Sequence, residues 1–193
     1  KEQIRRNSVI LFQRMIQCLG LLVLENAPRF FAVLIVNCTS GDVVDVSQMF
    51  NQLCIKFKQN AAPALDRALL PFLQKCHSLM PVTGEVVQGD IPPHLLTEQL
   101  SIKKLTFTVL QHIVTYRATV VLLSPSNSPS FESVMRTMSE GAITVEDAVM
   151  KKTCIQFFQE LVDQWGEQVN GSMNGNSSIQ QVFLQYICTS FGP

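Results

Sequence analysis

Glu146-Asp-Ala-Val-Met-Lys-Lys-Thr-Cys-Ile-Gln-Phe-Phe-Gln-Glu-Leu-Val-Asp-Gln-Trp165 carries apolar residues at Met150, Cys154, Phe158, Leu161 and Trp165. Steps of four, four, three and four place them on one stripe of an α-helix. Ile155, Phe157 and Val162 widen that stripe, and Lys152, Gln156, Gln159 and Asp163 form a polar line. Thr144 with Asp147 resembles a capping box, and Gly166 suits a left-handed helix stop.

The same pattern recurs twice upstream. Arg5-Arg6-Asn-Ser-Val-Ile-Leu-Phe-Gln13, Lys103-Lys104-Leu-Thr-Phe-Thr-Val-Leu-Gln111 and Lys151-Lys152-Thr-Cys-Ile-Gln-Phe-Phe-Gln159 share a basic pair, an apolar core and a closing Gln. The offsets are 98 and 48 residues, so the first is about two of the second. A fixed period near 40–47 residues is the mark of a HEAT- or armadillo-type helical solenoid.

Punctuation by Gly and Pro divides the chain into helices. The first spans 2–19 and stops at Gly20; Pro28 opens a second, Arg29–Cys38, behind Asn26 as cap. A third runs Asp45–Lys58, and a fourth starts near Pro63 and ends at Leu79, with Pro71 expected to kink it. After a loop at 81–93 a fifth runs from Leu95 to Leu122. The sixth, Phe131–Glu140, is expected to end at Gly141, and the seventh is the opening stretch. A polar loop at 170–178 precedes an eighth, Ile179–Thr189. The reading is all-α: a HEAT-repeat α-solenoid, a right-handed superhelix of antiparallel helix pairs, over residues 1–193. The pairs cover about 28–58, 62–122 and 129–165, flanked by unpaired helices 2–19 and 179–189. Because neither end carries a polar capping repeat, the expectation is a fragment of a longer array.

Composition narrows the function. With 47% apolar residues the chain can bury a large core, and 15 basic against 15 acidic residues leave no bulk charge. Any polyanion must therefore meet a local patch. The longest apolar run, Phe30–Val36, is far short of the roughly 18 residues a membrane span needs, so no membrane insertion is expected. The six cysteines lack metal-ligand spacing and read as buried free thiols. His77, His94 and His112 are dispersed, and no phosphate loop, dinucleotide fingerprint or nucleophile elbow is present. The chain is not expected to be an enzyme, and neither a cofactor nor a metal is expected.

The residues with a candidate binding role are the repeated basic pairs Arg5, Arg6, Lys103, Lys104, Lys151 and Lys152. In a solenoid, equivalent positions of successive repeats line one surface. A solvated helix face is the plainer reading, and ligand contact the sharper one. Lys56 and Lys58 lie outside the pattern.

In collinear order, Arg6–Leu19, Phe50–Lys58, Ala62–Leu73 and Lys151–Gly166 resemble the exportin-T family of tRNA exportins, in the karyopherin-β (importin-β-like) superfamily. The similarity covers nearly the whole chain and points to the C-terminal HEAT-repeat portion. It implies a nuclear export receptor that shuttles between nucleus and cytoplasm, wraps tRNA on a concave surface with Ran-GTP, and releases it after GTP hydrolysis. It also implies that Ran binds mainly through repeats outside this chain, with nuclear pore proteins as further partners. Under it the six basic residues become candidate tRNA-phosphate contacts, which read shape and backbone rather than bases. The alternative is a HEAT-repeat protein-binding scaffold or protein-cargo karyopherin, whose inner surface would expose apolar or acidic groups.

Overall fold

A computed structural model describes residues 2–80 and 92–171, with the backbone alone for 166–171. The expected helix Ile179–Thr189 and most of the loops at 81–93 and 170–178 lie outside the described residues. Seven α-helices are described: α1 (Glu2–Cys18), α2 (Leu22–Val36), α3 (Val43–Phe57), α4 (Ala62–Leu79), α5 (Pro93–Thr115), α6 (Phe131–Thr144) and α7 (Ala148–Gly171). Short 3-10 turns join several of them, and no strand occurs among the described residues.

The helices form two layers. α1 packs on α3, α3 on α5 and α5 on α7, while α2 packs on α4 behind them. Contacts at both ends show that α1 and α3 run parallel. Arg5 of α1 reaches Asp42 at the start of α3. At the other end, Lys56 Nζ of α3 donates to the carbonyls of Ile16 and Gln17 at 2.6 and 2.7 Å. That ammonium caps the negative end of the α1 dipole. For α5 and α7 the buried Gln164 Nε2 donates to the Val114 carbonyl at 2.6 Å. This is the one-dimensional stacking of a helical-repeat solenoid.

A spine of rings crosses the first two repeats. Phe12 of α1 meets Phe31 of α2 at 6.3 Å, Phe31 meets Phe50 of α3 at 4.5 Å, and Phe50 meets Phe72 of α4 at 4.9 Å. All four are buried, so they join transfer free energy to favourable ring geometry.

Several boundaries differ from those expected. α2 begins at Leu22, not Arg29, and Pro28 lies inside it. Its buried stripe Val23, Ala27, Phe31, Leu34 and Ile35 runs through the proline, and that packing outweighs the lost hydrogen bond. α5 ends at Thr115 because Arg117 adopts φ +60°, letting Ala118 N–H close back on the Ile113 carbonyl at 2.9 Å. That is a left-handed stop without glycine. α6 runs through Gly141 to Thr144. A Cβ at Gly141 would lie 2.6 Å from Cys154 Sγ and 2.7 Å from the Phe107 ring, so this glycine permits close approach of α5, α6 and α7. Gly166 does not stop α7 either, which continues to Gly171. Gly20, by contrast, ends α1 as expected, at φ +57°.

Within α7 the buried residues are Met150, Cys154, Phe157, Leu161, Gln164 and Trp165. Phe157 takes the core place expected for Phe158. Ile155 and Val162 stay 44% and 49% exposed, because no described element covers that flank. The expected capping box is also revised. Thr144 turns back to the Glu140 carbonyl, and Asp147 alone caps α7, accepting from Val149 and Met150 N–H at 2.8 and 3.0 Å.

Candidate nucleic-acid interface

The three helices that carry the basic pairs, α1, α5 and α7, belong to the same layer. Within each pair the two side chains differ. Arg5, Lys103 and Lys151 are half-buried, whereas Arg6, Lys104 and Lys152 are exposed. Adjacent positions on a helix are about 100° apart, so only one of two neighbours can face fully outward.

Arg5 has a structural job. Its guanidinium donates to the Asn37 carbonyl at 2.7 Å and pairs with the Asp42 carboxylate at 3.0 Å. Asp42 in turn accepts from the N–H of Thr39 at 2.8 Å, fixing the entry to α3. A phosphate would have to displace this set. Lys103 lies back over the Phe107 ring, its Nζ 5.7 Å from the centroid.

Lys104 repeats part of the Arg5 arrangement two helices along the layer. Asp147, the cap of α7, is held below the usual carboxylate range first by the Met150 N–H, then by the Val149 N–H and the charge of Lys104. Asp42 and Asp147 thus both stand at the N-terminal end of the next helix in the layer, each facing a basic residue of the helix before. Sequence reading placed Asp147 at a helix start but missed that these two acids face basic residues; the available signal was an acid at a helix start after each of the first two basic pairs. This accounts for part of the recurrence without any ligand.

The basic row is also interrupted. α3, between α1 and α5, carries Lys56 as its only basic residue, and that side chain caps α1. Of the six paired residues, the exposed ones on adjacent packed helices are therefore Lys104 and Lys152, with Arg6 on α1, two helices from Lys104.

Nothing else in the described residues offers chemistry. No group of His, Cys, Asp and Glu there could hold a metal, and no described helix is long and apolar enough to cross a membrane. Cys38, Cys54, Cys76 and Cys154 are buried. Burial raises Cys54 to about 12 and the other three to about 11. A thiol so raised is a poor nucleophile near neutrality. Cys18, expected to be buried, is exposed at the end of α1.

Two stacked layers of helices, with the repeated basic pairs on one layer and no catalytic cluster among the described residues, define a helical-repeat solenoid segment. The exportin-T family model matches residues 1–193, and the chain belongs to that family. Its relatives include exportin-T of Homo sapiens, 27% identical over 86% of this chain and 17% of that protein. Exportin-T of Emericella nidulans is 27% identical over 98% of this chain and 18% of that protein, and exportin-T of Mus musculus 26% over 86% and 17%. The chain thus spans less than a fifth of the length of these relatives. No solved structure matches it.

Proposed function

We propose that this chain is part of a nuclear export receptor for tRNA and that its first helix layer contributes electrostatic contacts to the tRNA backbone. The family match along the full chain carries this reading. Lys104 and Lys152, exposed on neighbouring helices, are the contacts it favours. Arg6 is a third. Arg5 belongs to the scaffold, and Lys103 and Lys151 support the patch from half-buried positions. The receptor acts with Ran-GTP, held mainly by repeats outside this chain, shuttles between nucleus and cytoplasm, and meets nuclear pore proteins on its way.

Charge reversal tests it. Lys104→Glu with Lys152→Glu, in a full-length receptor carrying this segment, is expected to weaken all tRNAs alike. It should also flatten the dependence of log K on log salt by up to roughly one unit per lost phosphate contact. Unchanged affinity and slope in a folded variant would leave both lysines as a solvated face.

The scaffold or protein-cargo reading draws on a different observation, the exposed Ile143, Ile155 and Val162 beside Glu160 and Asp163. A receptor that loses a protein partner, but no tRNA, on substitution of that face would favour it.

A further inference from the structure

Three helices of the first layer are followed by a residue with positive φ: Gly20 after α1 at +57°, Lys58 after α3 at +51° and Arg117 after α5 at +60°. The last two lie at one edge of the molecule. The 3-10 turn Lys58–Ala61 leads straight into α4. Asp66, near the start of α4, holds the connector that follows α5. Its carbonyl and its carboxylate each accept from Asn127 Nδ2 at 2.9 Å, and Ser124 Oγ donates to the same carboxylate. Lys58 and Arg117 therefore both stand beside the start of α4, at the ends of helices α3 and α5 that pack on one another.

A side chain at positive φ crowds its own backbone, and glycine escapes that cost. Lys58, with ψ −132°, occupies the corner that glycine takes in a type II′ turn. Gly20 shows that a reversal in this layer accepts glycine. The chain nevertheless carries a cation at the other two, and both are exposed. Strain kept at an exposed position points to a use for the side chain. Arg67, exposed next to Asp66, adds a third cation, while the Asp66 carboxylate is turned to the donors of the connector. Cations strung along an edge, without a shaped pocket, suit a run of phosphates, where charge follows charge. Arg117 lies thirteen residues beyond Lys104, about 20 Å along α5, so one phosphate cannot serve both.

We propose that Lys58 and Arg117, with Arg67 beside them, form a second contact strip for the phosphate backbone of RNA, separate from Lys104 and Lys152. The inference rests on the tRNA reading above. Lys58→Gly with Arg117→Gly, in a full-length receptor carrying this segment, relieves the backbone and removes both charges. With Ran-GTP present, tRNA affinity should fall, and the dependence of log K on log salt should flatten by up to roughly one unit per lost contact. The amides of α3 and α5 should exchange no faster than before. If glycine loosens either helix end, Lys58→Asn with Arg117→Asn puts the same question, because asparagine tolerates positive φ. Lys58→Arg with Arg117→Lys should keep both affinity and slope. Unchanged tRNA affinity and slope in a folded glycine or asparagine variant would overturn the proposal. Should Lys104→Glu with Lys152→Glu still weaken tRNA, the reading it rests on survives that failure; indifference of tRNA to both sets of substitutions would sink the reading as well. Loss of Ran-GTP binding in the absence of tRNA would also overturn the proposal, assigning the edge to an acidic protein surface.

Discussion

At the scale of single residues, burial decides what each reactive group can do. Cys38, Cys54, Cys76 and Cys154 lie inside the layers, and burial lifts their thiols to about 11 or 12, whereas Cys18 is open to solvent. Alkylation of the native protein near pH 8, read by mass spectrometry, should therefore label Cys18 first and spare those four until denaturant is added. Rapid labelling of Cys54 or Cys154 in the native state would contradict the packing. His112 is one group through which stability depends on pH. Its Nδ1 is buried without a partner, its ring stands edge-on to Tyr116 at 5.5 Å, and burial lowers its pKa below the ordinary 6.5. The folded chain thus holds His112 neutral while the unfolded chain takes up a proton. The stability this secures is fully present above about pH 6.5 and falls as pH drops from there toward the lower folded value. Urea midpoints measured between pH 7 and 5 should decline, and His112→Gln should flatten the decline.

At the scale of elements, the helices were legible wherever periodicity or a turn residue spoke for them. The Gly20 stop of α1 is read correctly from residues alone, as is the stripe of α7 at Met150, Cys154, Leu161 and Trp165, with Phe157 in place of Phe158. Errors arose where a residue with a local habit was overruled by packing. Pro28 reads as a helix start, yet the buried stripe from Val23 to Ile35 carries α2 through it. Arg117 gives no sign of a left-handed conformation, so the end of α5 was invisible in the sequence. Gly141 reads as a stop but serves as a gap. Its missing side chain makes room for Cys154 and Phe107, both fully buried and unable to retreat. Gly141→Ala gains up to about 1 kcal/mol in helix propensity, but overpacking costs about 1–3 kcal/mol. The expected outcome is a lower urea midpoint. A rise in the midpoint would mean that α5 and α7 can yield at that contact.

At the scale of the whole molecule, the repeat was the most informative feature of the sequence. Offsets of 98 and 48 residues correspond to two steps and one step along the same layer, from α1 past α3 to α5, then to α7. α5, covered on both sides, buries Ile102, Thr106, Phe107, Val109, Leu110, Ile113 and Val114, a wider arc than α1 or α7. The candidate interface was less legible. Spacing located all six basic residues, but Arg5 is tied to Asn37 and Asp42, more than thirty residues away in sequence. Only tertiary structure separates that arginine from the exposed Lys104 and Lys152. The central claim is that these exposed cations, and not the packed ones, face tRNA phosphates. Quantitative lysine acetylation of a full-length receptor carrying this segment, with and without tRNA and Ran-GTP, tests it most directly. Lys104 and Lys152 should react readily in the free receptor and become protected on tRNA loading. Lys56, held by the Ile16 and Gln17 carbonyls, should react slowly in both states. Equal reactivity of Lys104 and Lys152 in the free and loaded receptor would contradict the account.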